Sequence, residues 1–356
     1  MIEEGHGNLL TADAEALVNT VNTVGVMGKG IALQFKRAFP ANYRVYRTAC
    51  ARGELRMGEM LLFDTGVLGP RRYVINFPTK EHWRGRSRLE DIRSGLHALV
   101  DLIRERGITS VAIPALGCGN GGLAWDDVRP LIERACQRIP DVRAVLFAPA
   151  GAPAPENMPN ATPPPRLTIQ RAALVVTIDR YLGRARAQEV REGISELEVQ
   201  KLAYLLQTLG APLKLDFVRG RYGPYAPALS HVLDKLEGHY LIGFGDRSIP
   251  VTEFAPINPT PDGAAAAREL ISQHPSDAAR INALMELVDG FETPYSLELL
   301  ATVHFAAAQE PVTADAAELA RRVVAWSLRK ARMFTARHVE IAVERLAARQ
   351  MLSMPG

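Results

Sequence analysis

The chain has 356 residues, 47% of them hydrophobic and 23% charged, with a formal net charge of +3. That length holds two domains, and so small a charge excludes an argument for nucleic-acid binding from electrostatics alone. Three cysteines without paired spacing exclude a disulfide framework and point to a reducing compartment.

No apolar run reaches the ~20 residues of a membrane span. The opening MIEEGHGNLL lacks the basic and then apolar pattern of a signal peptide. The expectation is a cytoplasmic protein with no membrane partner.

Strands and helices alternate through the first half. Short aliphatic or β-branched runs bounded by turn residues predict strands at Ala16–Asn19, Met60–Phe63, Tyr73–Phe77, Ser110–Pro114 and Ala144–Ala148. Helical patterns lie at Gly30–Phe39, Leu89–Arg106 and Asp126–Arg138; in the second, Ile92, Leu96, Leu99, Val100 and Ile103 share one face. The alternation predicts a three-layer α/β/α domain over 1–150 with a central mixed, mostly parallel sheet. Ligands in such domains sit at the carboxyl ends of the strands.

Two glycine-rich loops fall there. The first, NTVNTVGVMGKGIALQ over 19–34, opens a helix near Gly30, and the amides of its first turn, around Ile31–Gln34, suit an anion. The second, PALGCGNGGLAW over 114–125, also joins a strand to a helix. Either alone is more often just a turn. Two on one sheet edge suggest a clamp for a diphosphate. Neither matches a Walker loop or the usual dinucleotide fingerprint.

The strand Tyr73–Phe77 is followed by Pro78, which is expected to stop it and place Lys80 in a turn. Lysine is scarce, seven residues against thirty-five arginines, although a GC-rich genome would explain that bias. Most loop lysines are merely solvated.

The stretches GNLLTADAEALVNTVNTVGVMGKGIALQFK, NFPTK and IPALGCGNGGLAW resemble the macrodomain family, the ADP-ribose-binding fold, over nearly all of 1–150. The resemblance is closest to its DarG subgroup, antitoxins that remove ADP-ribose from DNA bases modified by a DarT-type DNA ADP-ribosyltransferase toxin. It implies that Asn8 and Leu9 border the adenine and that Thr20, Val21 and Asn22 lie along the distal ribose. It also implies that Ile31, Ala32, Leu33 and Gln34 hold the diphosphate with Gly117, Cys118, Gly119, Asn120 and Gly121. Thr79 and Lys80 then stand beside the scissile bond, with Lys80 catalytic. Neither cofactor nor metal is implied.

Two departures from the family pattern stand out. Asn8 replaces the aspartate that many macrodomains place against the adenine. Gly121 replaces an aspartate that lysine-using relatives acting on proteins carry in the second loop, so no acid–base partner for Lys80 is identified.

The implied substrate is ADP-ribosylated single-stranded DNA, with thymine the base suggested by the subgroup and free ADP-ribose the product. Two other readings are an ADP-ribose reader without turnover and a deacylase of small ADP-ribose esters. An amine of lowered pKa would attack the anomeric carbon or trap the opened aldehyde, and nearby Lys29 is expected to help lower it.

Other residues have plainer readings. Cys118 between glycines reads as a turn-packing residue, His82 has no partner at metal spacing, and Trp125 reads as a packing anchor. Trp83 could stack on a base and Arg84, Arg86 and Arg88 could meet a DNA backbone, though such runs usually form a solvated loop.

From Pro149 to Pro165 the chain carries seven prolines, PAGAPAPENMPNATPPP, and 151–166 reads as a semi-extended spacer. Beyond it, 167–356 reads as an α-rich α+β interaction domain. Helices are predicted at Glu196–Leu209, Ala226–Leu236, Ala265–Ser272, Asp277–Val288, Ser296–Ala308, Ala314–Leu328 and Ala336–Gln350. Strands are predicted at Leu215–Gly220 and His239–Phe244, with a turn at Tyr222–Tyr225. The stretch from LEVQKLAYLL to RYGPYAPALSHVL faintly resembles Panacea-type antitoxin domains, which implies toxin binding.

Overall fold

In a computed structural model, residues 1–188, 191–248, 256–309 and 315–352 are described. They divide into two compact units, Met1–Pro163 with Gly245–Pro250, and Pro164–Phe244 with Val251–Gly356.

The first unit contains β1 (Ile2–Glu4), β2 (Ala16–Asn22), α1 (Gly30–Ala38), α2 (Pro40–Ala51), β3 (Leu61–Asp64), β4 (Tyr73–Lys80), α3 (Leu89–Arg106), β5 (Ser110–Pro114), α4 (Trp125–Cys136) and β6 (Arg143–Phe147). One six-stranded sheet runs β1-β6-β5-β2-β4-β3. Every neighbouring pair is parallel except β3 and β4. The strands are apolar on both faces because helices cover both. One face packs Val18, Ile75, Ile113 and Leu146 against Ile92, Leu96, Val128 and Ile132. The opposite face packs Leu17, Val74 and Ala112 against Leu9 and Phe35. This is the expected three-layer α/β/α domain with a mixed, mostly parallel sheet.

Two elements differ from expectation. β1 has a single strongly apolar residue in three, too little for a pattern. β4 does not stop at Pro78 but continues to Lys80, where it pairs with Asn22. The reason lies in its other edge. Pairing with β3 ends at Leu61↔Asn76, so β4 is bonded on one side only beyond that point, a setting that tolerates proline. Lys80 is therefore fixed by a strand end rather than carried on a turn.

The second unit contains α5 (Ile169–Gln188), α6 (Glu196–Thr208), β7 (Val218–Gly220), β8 (Gly223–Tyr225), α7 (Pro227–Leu236), β9 (Leu241–Ile242), β10 (Asn258–Pro259), α8 (Pro261–Ser272), α9 (Pro275–Leu287), α10 (Pro294–Gln309), α11 (Ala316–Trp326), α12 (Leu328–Met333) and α13 (Ala336–Ala348). Its core is one continuous apolar cluster. α10 packs on α6, α11 and α13, and Leu297–Ala307 is buried all round. Of the turn expected at Tyr222–Tyr225, Tyr222 lies in a turn and Gly223–Tyr225 form β8, paired with β7 in a hairpin. The helix expected over Ala314–Leu328 ends at Trp326, and Ser327 caps a new helix by accepting from the Lys330 N–H; Ala314 lies outside the described residues.

Candidate functional site

The ends of β2 and β4 organise the site. Their register shifts between Val21 and Asn22, so that Val21 faces Pro78 and Asn22 faces Lys80. Thr79, the residue left over, is buried and its hydroxyl donates to the Val21 carbonyl at 3.4 Å. Thr20 is half-buried and Val21 buried.

Lys80 points its amine at the second glycine loop. Nζ donates to the Asn120 carbonyl at 2.8 Å and to the Gly85 carbonyl at 3.3 Å. Burial of the amine lowers its pKa below the ordinary lysine value. Lys29 is not among the causes, so the expected charge repulsion gives way to desolvation. Among the described residues no carboxylate pairs with Lys80, and no cluster of groups could hold a metal ion.

The second loop explains why. At Gly121 an added Cβ would lie 2.3 Å from both the Gly117 carbonyl oxygen and the Ser87 hydroxyl. No aspartate fits at this position, whereas a Cβ on Gly119 would meet nothing within 4 Å. Ser87 closes the loop by donating its N–H to the Gly121 carbonyl at 3.0 Å. Burial pushes the Cys118 thiol up to about 11 and its Sγ donates to the Leu116 carbonyl, so thiolate chemistry is disfavoured there.

The first loop is held by Asn22. Its Oδ1 accepts from the Val24 and Val26 N–H groups at 3.1 and 3.2 Å, and its Nδ2 donates to the Val26 carbonyl at 2.6 Å. Tyr46 donates to the Asn22 main-chain oxygen at 2.6 Å. The Asn22 side chain is thus spent on shaping the loop. Gly30 starts α1 with φ +62°, and the space a Cβ would take there is 3.3 Å from Asn120 Nδ2. The structure therefore brings Lys80, Asn120 and Gly30 to one place.

A residue the sequence reading missed also meets α1. Asp246, 3% exposed, accepts from Gln34 Nε2 at 2.6 Å, and its carbonyl accepts from the Gly30 N–H at 2.8 Å. Arg37 donates to the neighbouring Gly245 carbonyl at 2.8 Å. Gln34 is therefore engaged, and Leu33 is buried. No side chain caps α1, so Ile31 and Ala32 supply the first-turn N–H groups that lack an intrahelical acceptor. The segment 245–248 shows only turn composition and lies some two hundred residues away in sequence, so no local signal marks it.

Asn8 precedes Leu9, which shares an apolar cluster with Ile31 and Phe35 of α1. Asn8 Oδ1 accepts from the Leu10 N–H at 2.9 Å, capping a short turn, and its Nδ2 donates to the Asn157 carbonyl at 2.6 Å. Leu9 is a core residue, 4% exposed. Asn8, Thr11, Gly151, Pro153, Asn157 and Pro159 line a cavity of about 590 Å³, a size that suits a small ligand. Residues 150–159, read from their prolines as spacer, form its wall.

A profile of the Macro domain family matches residues 18–132. The chain is similar to the DNA ADP-ribosyl glycohydrolase of Thermus aquaticus, at 45% identity over 99% of this chain and 94% of the relative. It is similar to a DNA ADP-ribosyl transferase–DNA ADP-ribosyl glycohydrolase fusion protein of Thermosipho africanus, at 37% identity over 37% of this chain and 38% of the fusion. Among solved structures, the macrodomain of Mycobacterium tuberculosis DarG is 56% identical and covers 42% of this chain and 99% of its own, with a TM-score of 0.42. The full-length match and the macrodomain around Lys80 have one reading: the chain belongs to the family of DNA ADP-ribosyl glycohydrolases.

Proposed function

We propose that this protein removes ADP-ribose from thymidine in single-stranded DNA, with Lys80 as its catalytic residue. In the cell it acts as a cytoplasmic antitoxin that reverses a DarT-type transferase and binds that toxin through its second half. The relative that fuses transferase and glycohydrolase in one chain supports the pairing of the two activities. One observation carries the catalytic reading: the Lys80 amine is held on the Asn120 carbonyl, its pKa lowered by burial, with no carboxylate paired to it.

A neutral amine in that position is a nucleophile. It attacks the anomeric carbon of the bound ADP-ribose; the carbon–nitrogen bond breaks and its electrons leave with the base. The proton shed by the amine replaces the lost bond on the base nitrogen, so no separate acid is needed. The sugar ring opens to an imine on Lys80, and water hydrolyses it to ADP-ribose and free amine. The first-turn amides of α1 and the Gly117–Gly121 loop hold the diphosphate, while the cavity beside Asn8 takes the adenine end.

The protein is tested against three substrates: an ADP-ribosylated thymidine oligonucleotide, a protein-linked ADP-ribose and an acetyl ester of ADP-ribose. Release of ADP-ribose from DNA well above the other two is expected. Tight binding without release would identify a reader, and preference for the ester a deacylase.

A further inference from the structure

The strand end that carries Lys80 turns directly into an exposed aromatic and cationic segment. Trp83 is 45% exposed, unlike the partly buried Trp125, which packs on the core. The His82 ring lies beside it at 5.3 Å between centroids, tilted by 31°, and the Arg84 guanidinium lies 4.4 Å from its centroid. The turn is ordered: the Arg84 N–H donates to His82 Nδ1 and the Gly85 N–H to the His82 carbonyl. Its Gly85 carbonyl is also an acceptor for the Lys80 amine.

Across from it, Thr23 donates both its N–H and its hydroxyl to the Glu81 carbonyl, bringing the exposed Val24 and Val26 to the same rim. The segment 81–88 carries one acid, Glu81, and three arginines, of which Arg88 pairs with Asp91. Arg84 and Arg86 enter no ion pair among the described residues.

We propose that Trp83 stacks on the base next to the modified nucleotide, with Arg84 and Arg86 taking its phosphates. This rests on the reading of the substrate as ADP-ribosylated single-stranded DNA. Nearly half of this indole is left open to solvent, and its surface cation–π contact with Arg84 is a weak one. Base–aromatic stacking is stronger than such a contact, so a base displaces Arg84 from the ring and leaves its guanidinium beside the strand. The platform makes the site select ADP-ribose within a DNA strand over ADP-ribose on a single nucleoside.

The test is fluorescence anisotropy and competition in a Lys80→Ala background, which does not depend on turnover. Trp83→Ala should weaken binding of an ADP-ribosylated oligonucleotide about tenfold, within the range of one stacked base, and leave free ADP-ribose affinity unchanged. Trp83→Phe should keep most of the affinity. When the nucleotides flanking the modified one are abasic, Trp83→Ala should have no effect. An equal loss on intact and abasic strands, a loss on free ADP-ribose, or no loss at all overturns the proposal. Failure of the wild-type protein to release ADP-ribose from DNA would instead count against the proposed activity and leave this binding test standing.

Discussion

The amine of Lys80 donates to the main-chain carbonyl of Asn120 at 2.8 Å, across forty residues of sequence, and so ties the end of β4 to the second glycine loop. A carbonyl positions the nitrogen without neutralising it as a carboxylate would. Burial then favours the uncharged amine.

From that direction follows a pH dependence. The neutral amine is the reactive form, and its pKa lies below the ordinary lysine value of 10.5. The rate of ADP-ribose release should rise with pH and level off once the amine is deprotonated, at a midpoint below 10.5. A single-turnover pH profile measures it; a rate that falls as pH rises would contradict the role.

The second loop separates ligand grip from folding. Gly119→Glu adds its side chain into open space, so the fold should survive while ADP-ribose affinity drops at least thirtyfold from bulk and charge against the diphosphate. Gly121→Ala places its Cβ 2.3 Å from a backbone oxygen and should cost about 1–3 kcal/mol of stability. Calorimetry with ADP-ribose and thermal melts distinguish the two. Undiminished binding by the Gly119 variant would remove the loop from the clamp.

The buried pair of Gln34 and Asp246 gives a stability prediction. Asp246→Ala leaves the Gln34 amide without its 2.6 Å acceptor, which should cost about 1–3 kcal/mol. Adding Gln34→Met should recover part of the loss, because the orphaned amide is removed. Chemical denaturation of the two variants gives the comparison.

The legible part of the fold was the part with a pattern. Strands β2, β4, β5 and β6 and helix α3 show apolar runs or one apolar stripe between turn residues. α5 did not, because Ala172–Ile178 is buried on every side, which erases the stripe. α2 begins with Pro40, which reads as the stop of α1 but is an N-terminal helix residue. At the site, Lys80 and the two loops were legible from motif resemblance. Asp246, the Asn120 acceptor and the wall near Asn8 were not, since each depends on distant chain segments meeting; the Gly85 acceptor, five residues from Lys80, depends on how the turn between them folds.

A second pH effect belongs to the second unit. His304 is buried against the Tyr204 hydroxyl at 2.7 Å, and burial lowers its pKa to about 4. The unfolded chain takes up this proton near pH 6.5, while the folded unit resists until about 4. Stability should therefore fall as pH drops through that window, by up to about 1.4 kcal/mol per pH unit. His304→Gln should flatten that slope in melts recorded from pH 7 to 4.5.

In the proposed reaction the Lys80 amine does the chemistry while the loops hold the ligand. Its most direct test is the release of ADP-ribose from an ADP-ribosylated single-stranded oligonucleotide by wild-type and Lys80→Ala protein, with ADP-ribose affinity measured for both. At least a thousandfold loss of release is expected in the alanine variant, with affinity kept within a few-fold. Release by the alanine variant at the wild-type rate would contradict that role for Lys80.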